Sequence, residues 1–186
     1  MNDDVFRRLR SILASRHSDR ELYAAIVNTP FAYKVETTRL SLGIIVLLLA
    51  NKADGQIHRI ALSATELANN TQDMSVKRFE DIKIPIDYDR NAIAQVIRTQ
   101  QPKRVTDWQY LFAPALTPAE ARLNQAGGAI GCSVVYPLKG VGDGGALIFS
   151  YYQYPEHIAT EHEAFMQTYS DIVAESLRAR TPRVQQ

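Results

Sequence analysis

The chain has 186 residues, 46% of them hydrophobic, and 21 basic against 20 acidic side chains leave a formal charge of +1. That length suits one domain with a core of its own, and the balanced charge gives no field to gather phosphate backbones or an anionic membrane, so neither nucleic acid nor membrane is an expected partner. A lone cysteine, Cys132, excludes an intramolecular disulfide and a thiolate metal cage; with no apolar leader in MNDDVFRRLR and no apolar run of membrane-spanning length, the expected location is the cytoplasm.

Val5, Phe6, Leu9, Ile12 and Leu13 recur at helical spacing and predict an amphipathic helix over residues 3–16, with Arg7, Arg8 and Arg10 toward water. Ser18-Asp19-Arg20-Glu21 is a capping box, in which the serine oxygen and the glutamate satisfy free amides at a helix start. It opens a second helix, buried along Leu22, Ala25 and Ile26 and stopped at Pro30. LSLGIIVLLLA, from Leu40, is too continuously apolar for a half-wet strand and predicts a central strand covered on both faces. Asp54-Gly55 turns it into a hairpin with residues 56–63, nearer an edge.

Residues 64–81 are polar and weakly periodic, the pattern of a surface connection with one helical turn. Ile82, Ile84 and Ile86 alternate with Lys83 and Pro85, a short strand that its proline places at an edge or at its end. Asp89 is the expected cap of a helix over 90–100 that buries Ile93, Val96 and Ile97. After Pro102, Arg104-Val105-Thr106 makes a brief strand, and Trp108, Tyr110 and Phe112 follow in a loop. Thr117-Pro118-Ala119-Glu120 is a second capping box, for a helix ended by Gly127-Gly128.

Residues 128–154 read as a hairpin. Apolar runs over 132–138 and 146–152 flank Gly140, Gly142, Asp143, Gly144 and Gly145, the composition that supplies positive φ angles. Thr160-Glu161-His162-Glu163 is a third capping box, and Phe165, Met166, Tyr169, Ile172, Val173 and Leu177 keep helical register to about residue 180. The tail from Thr181 has little to pack and is expected to be disordered.

This order of elements, with IIVLLLANKADGQIHRIA, KIPIDYDRNAIAQVIRTQQPKRVTDW, GCSVVYPL and GALIFSYY, resembles the GAF family of small-molecule sensor domains over roughly residues 9–180. One departure is that the family commonly has glycines before the middle helix, where Asp87-Tyr88-Asp89-Arg90 stand here. The resemblance implies an α+β fold, a GAF-like central antiparallel β-sheet of five to six strands with the terminal helices on one face and pocket-forming helices and loops on the other. It implies one domain over 1–180, with N-terminal helices in 3–28, a sheet core in 38–153 and a C-terminal helix in 158–180.

Period-two alternation splits each strand into two sets, among them Ile45, Leu47, Leu49 against Ile44, Val46, Leu48, and Leu147, Phe149, Tyr151 against Ile148, Ser150, Tyr152. Periodicity does not say which set faces the pocket. By similarity to ligand-binding members of the family, the sets with Leu49, Ser133 and Tyr151 are the pocket side. The expected ligand contacts are Leu49, Ser133, Val135, Phe149 and Tyr151, with Trp108 and Tyr110 as a lid.

Cys132 is weighed as a nucleophile because some GAF-like proteins reduce free methionine sulfoxide. That chemistry needs a resolving thiol, and an apolar strand around a single cysteine favours an inert, buried one. Bilin attachment requires a cysteine in a loop or helix near a histidine, which Cys132 is not. Asn51-Lys52 matches the first half of a cyclic-nucleotide motif, but Phe79-Glu80-Asp81 does not complete it. His17, His58, His157 and His162 lack the i, i+4 spacing of a helical metal site, and the glycines of 140–145 join strand to strand, not strand to helix as a phosphate loop does. No metal or cofactor is therefore expected.

The resulting expectation is a non-catalytic sensory or regulatory domain that binds an unidentified small organic ligand and signals through its terminal helices, as a homodimer or to a partner protein. Two alternatives stand beside it: a degenerate fold that binds nothing and serves as a dimerisation or adaptor module, and a thiol enzyme using Cys132.

Overall fold

The computed structural model describes residues 3–32, 41–152 and 160–180. Seven consecutive buried residues, from Leu42 to Leu48, begin β1 (Leu42–Asn51), and such a run is stable only with protein on both faces. β1 is accordingly central. It pairs on one side with β2 (Gln56–Leu62), which carries the edge strand β3 (Ile84–Pro85), and on the other with β6 (Gly145–Tyr151), followed by β5 (Cys132–Pro137) and β4 (Lys103–Val105). Every pairing is antiparallel, so the order is β3-β2-β1-β6-β5-β4. Pro85, which has no amide proton to donate, lies in the edge strand.

One face is packed by α1 (Asp3–Ala14), α2 (Asp19–Asn28) and α7 (Thr160–Arg178), whose Leu9, Leu22, Ile26, Phe165 and Tyr169 meet Ile45, Leu47, Leu147 and Phe149 of the sheet. The α2 capping box is formed, with the Glu21 amide donating to Ser18 Oγ at 3.2 Å and the Ser18 amide to Glu21 Oε2 at 3.2 Å. Pro30 sits in a single 3-10 turn, Thr29–Ala32, that tightens the end of α2. The Tyr169 hydroxyl donates to the Ile26 carbonyl at 2.6 Å and ties α7 to α2. α7 is described from Thr160, and the capping box expected at Thr160-Glu163 depends on the start of the helix and so on the position before it, residue 159. That position, and the tail from Thr181, lie outside the described residues.

The other face carries α3 (Glu66–Asp73), α4 (Ala92–Thr99), α5 (Gln109–Phe112) and α6 (Pro118–Gly127). The α+β architecture implied by the resemblance is thus present, with the helices divided between the two faces as expected. No helix among the described residues is long and apolar enough to cross a membrane.

Three local expectations are corrected. Residues 64–81 hold a full helix, α3, capped by Thr65. Only Ala68 of it is buried, a strip too narrow to show as periodicity. Thr65 also donates from its hydroxyl to the Gly43 carbonyl at 2.8 Å, while a Cβ on Gly43 would lie 2.6 Å from Leu67 Cδ1; the glycine lets α3 sit directly on β1. The cap of α4 is Asn91, not Asp89, because its Oδ1 accepts from the amides of Ile93 (2.8 Å) and Ala94 (3.2 Å). Residues 109–112, expected as loop, form the short helix α5.

The second capping box is formed as read, by Thr117 and Glu120. Gly128, however, has φ −84 and needs no glycine for its backbone. It needs space, since a Cβ there would lie 2.3 Å from Thr71 Oγ1 of α3.

Candidate functional site

Between the sheet and the helices α3, α5 and α6 lies a cavity of about 30 Å³, room for a water molecule or two in this conformation. Its floor is Ile44 and Val46 of β1 with Ile148 and Ser150 of β6, and Arg59 and Leu62 of β2 form one wall. Thr71 and Gln72 of α3 and the following Ser75, Lys77, Phe79 and Ile82 make the roof, and Trp108, Leu111, Phe112 and Asn124 close the far side.

Trp108 is 4% exposed and firmly held. Its indole Nε1 donates to Ser133 Oγ at 2.8 Å, and Ser133 Oγ lies 2.8 Å from Ser150 Oγ, so the indole and two sheet hydroxyls satisfy one another. Its main-chain amide donates to Gln125 Oε1 at 2.9 Å, and its ring packs at 5.4 Å from that of Phe112. Asn91, fully buried, donates from Nδ2 to the carbonyls of Leu111 (3.0 Å) and Ala113 (2.8 Å). One side chain therefore caps α4 and clamps the segment that carries the cavity's aromatic wall. Nearby, Arg122 binds Asp107 through Nε (3.0 Å) and Nη2 (2.8 Å). Burial works to raise the Asp107 pKa, but the Arg122 hydrogen bond and the Gln109 amide outweigh it and hold the carboxyl below its ordinary value.

Arg59 is the most unusual group in the cavity. Its guanidinium carbon lies 4.8 Å from the ring centre of Phe79 and 4.7 Å from that of Phe112. Burial pulls its pKa down to about 10, which still leaves it charged at neutral pH.

Among solved structures, the GAF domain from an Acinetobacter phosphoenolpyruvate-protein phosphotransferase is similar over 96% of this chain and 95% of its own, at 11% identity and a TM-score of 0.64. The GAF domain from the Coxiella burnetii phosphoenolpyruvate-protein phosphotransferase is similar over 95% and 92%, at 15% identity and a TM-score of 0.64. The fold is the GAF fold. Free methionine-R-sulfoxide reductase from Neisseria meningitidis, solved in complex with its substrate, shares it over 95% of this chain and 88% of its own, at 12% identity and a TM-score of 0.58. No family model and no curated protein matches the sequence.

Within this GAF fold the expected site residues divide. Trp108 lines the cavity. Ser133 stands directly behind it through the indole bond, and Val135 lies in the same core. Leu49, Phe149 and Tyr151 are on the opposite face, against the terminal helices, and their expected place beside Ser133 is corrected. The reason is register: Ser133 pairs with Ser150 and Val135 with Ile148, while Phe149 pairs with Val134 and Ile45. Directly opposed residues share a face, so Ser133 brings Ser150, not Phe149 or Tyr151, to its side. Tyr110 is 51% exposed and does not line the cavity.

Cys132 shares the face of Phe149, fully buried, with its pKa pushed up to about 11 by burial. Among the described residues no group of three His, Cys, Asp or Glu side chains could hold a metal ion. Sequence reasoning missed Arg59, although a signal existed. Arg59 is two residues from the fully buried Ile57, so strand alternation points a charge to an inner face.

Proposed function

We propose that this GAF-fold domain is a non-catalytic sensory module that takes a small organic ligand between the sheet and α3, α5 and α6, and passes the event through the sheet to α1, α2 and α7. The observation that carries this reading is the shared strand β6. Its Ile148 and Ser150 form the cavity floor while the intervening Phe149 packs against α7, with its ring 6.1 Å from Phe165 and 6.0 Å from Tyr169. A ligand that moves the floor therefore acts on the packing of a terminal helix one residue away. Those helices present the signal to a second copy or to a partner protein in the cytoplasm. The placement of Cys132 away from the cavity, with a protonated thiol, supports a non-enzymatic role.

The cavity volume of about 30 Å³ favours one alternative, an adaptor that binds nothing, because small-molecule sites are commonly about ten times larger. In the sensory reading the segment 74–82 lifts to admit the ligand.

Native mass spectrometry of the purified protein and a thermal-shift screen with a metabolite library separate the two. The sensory reading expects a retained or stabilising compound, whose effect disappears in Ile148→Trp, which fills the floor. A repeatedly empty protein with no shift across the library leaves the adaptor reading, and light scattering then shows whether the chain pairs.

A further inference from the structure

Most polar groups lining the cavity are satisfied internally, and among its charged groups the exception is Arg59. Thr71 Oγ1 donates to the Leu67 carbonyl at 2.9 Å, and Ser75 Oγ donates to the Lys77 carbonyl at 2.8 Å while lying 3.1 Å from the Asn124 amide. Ser150 Oγ is bound to Ser133, and Lys77 Nζ donates to the Ala115 carbonyl at 2.6 Å. Arg59 has no hydrogen-bond acceptor and no carboxylate partner among the described residues. Its contacts are the rings of Phe79 and Phe112, which attract a cation but offer no lone pair to its N–H groups.

The charge balance points the same way. Arg59 and Lys77 line the cavity, and no aspartate or glutamate does. Burial lowers the Arg59 pKa, and among the described residues no neighbouring carboxylate opposes it. A part-buried guanidinium with its donors unused costs stability, and a protein keeps such a group where something else brings the counter-charge. A guanidinium presents a planar fork that matches a carboxylate with two parallel hydrogen bonds. Beside it, Ile44, Val46 and Ile148 offer an apolar floor with no donor of its own.

Resting on the sensory reading above, we propose that the ligand is a small organic carboxylate, its anionic group held by Arg59 and its apolar body on Ile44, Val46 and Ile148. A cavity of about 30 Å³, even when enlarged by movement of the 74–82 segment, favours a compact monocarboxylate over a nucleotide or a large chromophore.

The test uses the whole chain and matched probe pairs, acetate with acetamide, propionate with propionamide, pyruvate with pyruvamide and benzoate with benzamide, plus inorganic phosphate, read by thermal shift and calorimetry. At least one carboxylate is expected to raise the melting temperature while its amide does not. Arg59→Met keeps the stem between the two rings and is expected to weaken that carboxylate at least about 30-fold, as loss of one partner of a hydrogen-bonded charge pair does. Without any ligand it should melt no lower than the wild type, since it removes an uncompensated charge. Arg59→Lys, which keeps the charge but not the fork, should bind with intermediate affinity.

Amides binding as well as carboxylates, or carboxylate affinity unchanged in Arg59→Met, overturns the proposal and leaves the sensory reading standing. Stabilisation by phosphate alone overturns the organic-carboxylate assignment. Silence from both probe series also overturns it, and the native mass spectrum then decides separately whether the cavity holds another class of ligand.

Discussion

Cys132 and Tyr151 face each other across β5 and β6, both buried on the terminal-helix side, and burial raises the pKa of both. The Tyr151 hydroxyl finds no hydrogen-bond partner among the described residues, and it is the position of the ring in the terminal-helix core, away from the cavity, that makes Tyr151 a packing residue. For Cys132 the thiol, not the thiolate, is the native form, with a pKa near 11 against an ordinary 9.0. A folded pKa raised above the unfolded one means that the native state holds its proton longer. The stabilising contribution is complete below about pH 9 and is lost as pH rises through about 11. Cys132→Ala should therefore flatten the alkaline decline in stability over that window, measured by urea unfolding at successive pH values. In the native protein at pH 8 the thiol should react with a disulfide reagent far more slowly than in denaturant. Rapid labelling of the folded chain would reopen the thiol-enzyme alternative. The bland reading of this cysteine was available from its apolar neighbours and the lack of a second thiol, but its face was not, because that depends on its partner strand.

At the scale of elements, Asn91 joins α4 to the 111–113 segment through four hydrogen bonds from one side chain. Asn91→Ala removes a helix cap and leaves two carbonyls without their donor, at a cost of about 2–4 kcal/mol in chemical unfolding. Asn91→Ser should recover the part of this that belongs to the cap. Equal losses for the two variants would show that the cap contributes little and the clamp carries the effect. Asp89 and Asn91 are both good caps by residue type, and only the burial of Asn91 against the following loop selects it. Capping boxes at Ser18 and Thr117 were legible because their partner, a glutamate three residues on, is local. Helix α3 was not, since what holds it is distant: Gly43 beneath Leu67, and Gly127 and Gly128 against Met74 and Thr71.

The whole molecule is one sheet between two cores, and a residue's role follows from the core it enters. Phe149 lies at the centre of an aromatic cluster with Tyr136, Phe165 and Tyr169. Phe149→Ala should lower global stability by about 3–5 kcal/mol, the usual cost of emptying a buried phenylalanine site. At a temperature where the variant is folded, its affinity for any carboxylate found for the wild type should change only by the coupling between floor and helix, about 5-fold, well short of the loss in Arg59→Met. A loss of affinity as large as that of Arg59→Met would instead place Phe149 in the ligand site, as the resemblance to ligand-binding GAF domains had implied. The sequence by itself determined what is local: the strands and their hairpins, most helices, the capping boxes at Ser18 and Thr117, the central place of β1 and the order of elements that resembles a GAF domain. Only the tertiary structure decided which face each strand turns to the cavity, because alternation is symmetric until antiparallel register pairs Ser133 with Ser150 and Val135 with Ile148. It alone also brought Arg59, Phe79 and Phe112, from separate parts of the chain, around one charge, since nothing local in the sequence links a strand arginine to rings some 20 and 53 residues away.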